Sequence, residues 1–192
     1  YEAGPTTPLA GESANNFALI DANHDRIADL TIESADGLRH AQGLGDGSFA
    51  ELRLLAGPPA PQGLLAADID GDDQIDLLTR DGDEGDLVLL AGDGDRGFVE
   101  RNRIDLEGRG SGPTLSEDLD ADGDREIIVG DPDEARVTIW LHRDDGFARP
   151  IEVELGAPAS QLAISDLNGD GALDLVAATF PERSFTVLLA NP

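Results

Sequence analysis

The chain has 192 residues, of which 40 are Asp or Glu and only 13 are basic, all of them Arg, for a formal net charge of −27. That balance excludes charge-driven binding to nucleic acid or to an anionic membrane, and it favours cations. Hydrophobic residues at 40% exclude a disordered acidic tail, the lack of Cys excludes disulfides, and no run of 18 apolar residues offers a membrane-spanning helix.

Taken in order, short apolar runs alternate with turns rich in Gly and Asp. The runs fall at 17–20, 29–32, 38–42 and 49–55, then at 64–67, 76–79, 86–91 and 98–106. They continue at 114–117, 126–129, 137–142 and 147–155, and close with 161–165, 174–179 and 185–190. None has a helical period long enough for a helix, so each is read as a strand. Proline and glycine at 57–63, 108–113 and 156–160 mark loops between groups of four strands. A sheet of about 48 residues cannot bury both of its faces alone, so these groups are repeats within one domain spanning 1–192. The repeats cover 17–56, 64–107, 114–155 and 161–192, the last completed by residues 1–10.

Between the first two strands of each group lies the same acidic loop. Its first, third, fifth and ninth positions carry side-chain oxygens: Asp21, Asn23, Asp25 and Asp29; Asp68, Asp70, Asp72 and Asp76; Asp118, Asp120, Asp122 and Glu126; Asp166, Asn168, Asp170 and Asp174. The backbone carbonyl of the seventh residue (Ile27, Gln74, Asp124 or Ala172) is a further ligand. The first residues are separated by 47, 50 and 48 positions, a period that indicates a repeat architecture. Alternate residues turning oxygens inward around a glycine-assisted bend suit a hard cation, and Ca2+ takes about 6–8 oxygens. Up to four Ca2+ are therefore expected. Position six is Gly123 and Gly171 in two loops but Arg26 and Asp73 in the others. With both of its glycines and four short oxygen ligands, 166–174 is expected to bind best, and 21–29, with the bulky cation Arg26 at the bend, worst.

Four-stranded sheets repeated radially make an all-β propeller, here of four blades with four antiparallel strands each. The loop pattern D-x-[DN]-x-D-x-x-x-[DE], together with G-D-G-S-F at 45–49, G-D-G-D-R-G-F at 92–98 and D-D-G-F at 144–147, resembles the FG-GAP/VCBS repeats of integrin α-subunit propellers and bacterial surface proteins. The resemblance implies calcium in the turn between the first two strands of each blade. It also implies a binding or adhesion module for a protein or carbohydrate ligand rather than an enzyme.

A structural subunit of a filament or larger protein is the alternative, and a carboxylate-based polysaccharide-active enzyme a weaker one. No acid is flanked by aromatics as a glycosidase acid requires. His24, His40 and His142 lack zinc-ligand spacing. His24 is read as a solvated turn residue and His142 as packing beside Trp140. Calcium availability points to a secreted or cell-surface location, and no nucleic-acid partner or membrane insertion is expected. The turns on the face away from the acidic loops, at 33–37, 80–85, 130–136 and 180–184, are the expected place for a macromolecular partner. Residues 1–10 are expected to pair with 185–190, giving a closed monomeric ring or, alternatively, a strand-sharing dimer. The missing initiator Met is expected of a processed or trimmed chain.

Overall fold

A computed structural model describes residue 6 and residues 14–94, 97–106, 112–143 and 146–190. Among these residues there is no α-helix, and none that is long and apolar enough to cross a membrane. The fold is an all-β propeller whose blades are small antiparallel sheets.

The first sheet has the order β1 (Asn16–Ile20), β2 (Asp29–Ser34), β3 (Gly37–Ala41) and β4 (Arg53–Leu54). The second has β5 (Gln62–Ala67), β6 (Asp76–Arg80), β7 (Leu87–Gly92) and β8 (Phe98–Ile104). The third runs β9 (Thr114–Glu117), β10 (Glu126–Gly130), β11 (Arg136–Trp140), then β14 (Ile151–Glu154). Before β14, β12 (His142–Arg143) and β13 (Gly146–Phe147) form a separate two-stranded ribbon. The last sheet shows β15 (Ala159–Ser165), β16 (Asp174–Thr179) and β17 (Ser184–Leu188). The expected outer strand from residues 1–10 lies outside the described residues.

Two expected strands differ in extent. The run at 49–55 pairs in the sheet only through β4, because Phe49 bridges Gly43 instead. The run at 137–142 is cut after Trp140, and His142 pairs with Phe147 in the ribbon.

The chain forms two compact units, one of residues 1–68 and 73–108, the other of 69–72 and 109–192. Each buries its core between two sheets. In the first unit Leu38 and Ile20 pack on Leu77, Val88, Leu90 and Phe98. In the second, Ile128 and Val137 pack on Leu175, Ala177 and Leu188. Sheet pairs must stack because a single twisted sheet has no second layer to remove its apolar face from water.

The turns expected to meet a macromolecular partner are tied down in two of the sheets. Asp81 Oδ1 accepts the N–H groups of Asp83 and Glu84, and Asp131 Oδ1 accepts those of Asp133 and Glu134. Arginine completes both turns: Arg103 lies 2.7 Å from Asp81 Oδ2, and Arg136 3.6 Å from Asp131 Oδ2. Burial pushes the Asp81 carboxyl up, but Arg103 and the two N–H donors hold it below its usual value.

Candidate metal centres

All four acidic loops curl in the same way. At position six the backbone is left-handed in every copy, with φ of 70° at Arg26, 67° at Asp73, 101° at Gly123 and 90° at Gly171. Position four is left-handed too, at His24, Gly71, Ala121 and Gly169. The non-glycine residues there carry a strain of order 1 kcal/mol each, which the surrounding hydrogen bonds offset. At position four of the second loop glycine also leaves room for a neighbour: a Cβ on Gly71 would sit 2.6 Å from Asp124 Oδ1, which would have to move.

The bend aims the position-six N–H at the first aspartate. Arg26 N donates to Asp21 Oδ2 at 2.9 Å, Asp73 N to Asp68 Oδ2 at 3.0 Å, Gly123 N to Asp118 Oδ2 at 3.2 Å and Gly171 N to Asp166 Oδ2 at 3.0 Å. One oxygen of each first aspartate is thereby fixed, and in the first and third loops the other is left to the loop interior. Asp21 Oδ1 and Asp118 Oδ1 are buried without any hydrogen-bond partner. A buried carboxylate oxygen with no donor costs about 1–3 kcal/mol or more, so its place in a loop of acids fits a cation ligand. In the fourth loop the equivalent oxygen, Asp166 Oδ1, accepts the Gly169 N–H at 2.7 Å. The Gly169 and Gly171 N–H groups hold the Asp166 carboxyl below its usual value.

Carboxylate oxygens converge within 4.8 Å of one another in two loops: Asp68, Asp70 and Asp76 in the second, and Asp118, Asp120 and Glu126 in the third. Either group could hold a metal ion. In the first and fourth loops position three is Asn, and its amide donates to position five: Asn23 Nδ2 to Asp25 Oδ2 at 3.0 Å, and Asn168 Nδ2 to Asp170 Oδ2 at 2.8 Å. The backbone N–H groups of Ile27 and Ala172 bond Asp25 and Asp170, as that of Asp124 bonds Asp122. Gln74 occupies the corresponding place in the second loop.

Position nine does more than the sequence suggests. Asp29, Asp76, Glu126 and Asp174 are all fully buried. Asp29 accepts the N–H of Ala22 and of Gly43, and Asp174 those of Leu167 and Ala190. Glu126 accepts Leu119 N and His142 N, while Asp76 accepts Gly92 N. Each acid thus ties its loop to the far end of the third strand. The extra methylene of Glu126 is accommodated in the same pattern. Burial pushes the Glu126 carboxyl up, with Asp120 and Asp122 adding to the effect.

The third loop also carries a cation that sequence reasoning missed. Arg143 reaches Asp120 Oδ2 at 3.0 Å and Asp122 Oδ2 at 3.1 Å. Its neighbour His142 is buried, with Nδ1 3.0 Å from Asp124 Oδ2 and its ring edge-on to Phe147 at 5.1 Å. His142 therefore packs on Phe147 across the ribbon and bonds the third loop, rather than standing beside Trp140 on one strand. His24 is exposed at its turn.

Beside the first loop lies a cavity of about 280 Å³, lined by Asn23, Asp29, His40, Gln42, Glu51 and Arg53 among others. Burial lowers the His40 pKa, and Asp29 pulls it the other way. Thr31 Oγ1 lies 3.0 Å from His40 Nδ1, and Phe98 meets the ring edge at 5.5 Å.

Residues 118–177 match a family model described as an FG-GAP-like repeat. No curated protein matches the chain significantly. Thirteen chains of solved structures do. One is an Agrocybe aegerita lectin whose structure is titled for specific recognition of non-reducing terminal N-acetylglucosamine, with a TM-score of 0.63 and 21% identity. The match covers 84% of this chain and 46% of the lectin, so this chain spans about half the lectin's length. The likeness lies in the propeller fold, and that fold is one used by a binding protein.

Proposed function

We propose that this chain is a calcium-stabilised binding module of the cell surface or the secreted fraction, with a carbohydrate as its ligand. The observation that carries the calcium reading is the pair of buried, unpartnered oxygens, Asp21 Oδ1 and Asp118 Oδ1, each held open by a position-six N–H on its sister oxygen. The converging carboxylates of the second and third loops support it. Asp68, Asp70, Asp72 and Asp76, and Asp118, Asp120, Asp122 and Glu126, would hold the ions, with the Gln74 and Asp124 carbonyls completing each set. Bound Ca2+ would supply charge compensation, bringing −27 to about −19 if all four loops fill.

The carbohydrate reading rests on the fold shared with a lectin and on the cavity beside the first loop. That cavity lies near the lower end of ligand-site sizes and mixes donors, acceptors and apolar wall, as a small polyhydroxylated ligand needs. Asn23 and Asp29 belong both to its wall and to the first loop, so occupancy of the loop and of the cavity is expected to be coupled.

Two measurements test the reading. Titration calorimetry with Ca2+, read beside melting curves in Ca2+ and in EDTA, is expected to show binding and a higher melting temperature with the ion. An unchanged melting curve in EDTA would mean that the loops are ordinary polar turns. A glycan array probed with the protein in Ca2+ is expected to give hits that Arg53→Ala weakens, and the absence of hits under all conditions would remove the carbohydrate ligand.

A further inference from the structure

The tips of the second and third loops touch. Residues 69–72, the tip of the second loop, belong to the same compact unit as 109–192, and so to the unit that holds the third loop. Ile69, at position two, is fully buried, and its carbonyl accepts the Arg125 N–H at 2.8 Å. A Cβ on Gly71 would stand 2.6 Å from Asp124 Oδ1 and 3.1 Å from Gly123 O, so the two loops meet at a second point. Asp124 is itself anchored, with Oδ2 3.0 Å from His142 Nδ1.

The bond joins two particular peptide groups. The Arg125 N–H and the Asp124 carbonyl belong to one peptide, and that carbonyl is the position-seven ligand proposed for the third loop. The Ile69 carbonyl and the Asp70 N–H belong to another, and Asp70 is the position-three ligand proposed for the second. A peptide group is planar, so fixing its N–H also orients its carbonyl. Donation by the N–H polarises the carbonyl of the same group and makes its oxygen a better acceptor. The carboxylates of Asp68, Asp70 and Asp76 converge within 4.8 Å, and their mutual repulsion, which a cation relieves, bears on the residue next to this bond.

We propose that Ca2+ binding at the second and third loops is positively coupled through the bond from Arg125 N to Ile69 O. An ion that settles the second loop fixes the Ile69 carbonyl, and that carbonyl holds the Asp124 peptide in place for the third. By linkage an ion in the third loop favours the second by the same factor. Two bound dications repel each other through solvent, which opposes the coupling, so the contact is read where salt screens that repulsion. This inference rests on the calcium reading of the loops and adds to it the dependence of one site on the other.

The test is a Ca2+ titration of the 192-residue protein in about 0.15 M salt, followed by amide NMR, with the Gly71 and Gly123 signals reporting the two loops separately. In the wild type both signals are expected to shift over one range of Ca2+, more steeply than single-site binding allows. Asp72→Ala removes an exposed ligand of the second loop and is expected to weaken Ca2+ at the third by about fivefold or more. That loss is expected to persist when the salt is raised. Arg125→Ala keeps the N–H and is expected to keep the coupling. Arg125→Pro removes the N–H just before β10, a place where proline is tolerated, and is expected to abolish it. Melting curves check that each variant is folded, and the Asp72→Ala measurement decides alone if Arg125→Pro is not. Independent single-site curves for Gly71 and Gly123, unmoved by Asp72→Ala, would overturn the coupling and leave the calcium reading standing. A loss in Asp72→Ala that fades with salt would overturn it too, because charge alone would then link the loops. So would Arg125→Ala losing the coupling as fully as Arg125→Pro, which would assign it to the side chain. No response of either signal to Ca2+ would remove the calcium reading of these loops, and the coupling with it.

Discussion

The second and third loops differ from the first and fourth by one atom type at position three, and their construction diverges from there. Asn23 and Asn168 donate to the carboxylate two residues on, so those loops satisfy part of their own charge. Asp70 and Asp120 have no such donor to offer, and the acids around them crowd to within 4.8 Å. Like charges that close repel unless a cation lies among them. The ranking of 166–174 first rests on its two glycines and four short oxygen ligands, and position three gives a second basis for comparing the loops. The bend is made in all four loops, with Arg26 and Asp73 accepting the left-handed backbone. At position three the second and third loops carry one more carboxylate for a cation to compensate, while Asp21 Oδ1 in the first loop is as unpartnered as Asp118 Oδ1 in the third.

The largest effect that could break this contrast is in Ca2+-dependent stability. A site filled at a hundredfold excess over Kd adds about 2.7 kcal/mol. Asp70→Ala with Asp120→Ala is expected to abolish most of the Ca2+-induced rise in melting temperature, roughly 10–20 °C for two sites. Asn23→Ala with Asn168→Ala is expected to keep most of it. Scanning calorimetry of both double variants, with and without EDTA, decides; the reverse order would restore the ranking of 166–174 first.

A smaller effect is expected to be the same in both kinds of loop. Asp29→Ala in the first loop and Glu126→Ala in the third each strip two backbone N–H groups of their acceptor. Each should cost about 2–4 kcal/mol even in EDTA, measured by denaturant unfolding. A loss seen only in Ca2+ would mean that position nine acts through metal alone.

Arg143 sharpens the contrast further. It pairs with Asp120 and Asp122 at the surface, where solvent screens the attraction. Arg143→Ala is expected to tighten Ca2+ binding at the third loop by about two- to fivefold, read by calorimetry, because the ion no longer competes with the guanidinium. Weaker binding would show that the arginine helps to organise the loop.

The smallest effect separates loop acids from an acid buried for another purpose. Glu33 is buried, and burial pushes its carboxyl up although it accepts the Gly63 N–H at 2.9 Å. A group raised in the folded state favours folding below its ordinary value of 4.5 and loses that contribution as pH rises through the folded value. Glu33→Gln keeps an acceptor for Gly63 and is expected to raise the neutral-pH melting temperature by about 2 °C. The gain should vanish below pH 4.5. A gain that persists in acid would point to packing instead.

Strands and loops were legible because each strand is a short apolar run bounded by Gly and Asp, and because the loops recur at a near-constant spacing. What escaped were contacts made from a distance. Arg143 lies 23 residues beyond Asp120 and reaches it only because the ribbon of β12 and β13 folds back. That ribbon is too short for alternation to reveal, so 137–142 read as one strand. The recurrence of an acid before each second strand was visible as a ligand pattern. Its second task, accepting backbone N–H groups from the end of the third strand, needed the register to be seen. Position three was visible as Asn or Asp throughout, but both are oxygen donors on paper, and only the amide N–H tells them apart.

The position-nine tie has a consequence for how such a chain grows. Asp29 and Asp174 bond residues seven positions before and fourteen or sixteen positions after themselves, all inside their own repeat. A copied repeat would carry its bend and its anchor complete. The sheet faces would have to be matched, as would loop contacts such as the one from Arg125 N to Ile69 O at 2.8 Å. Duplication or loss of a blade is then chiefly a change at two sheet surfaces, and the anchor of each loop survives sequence drift such as Glu for Asp at position 126, which keeps both of its backbone N–H donors.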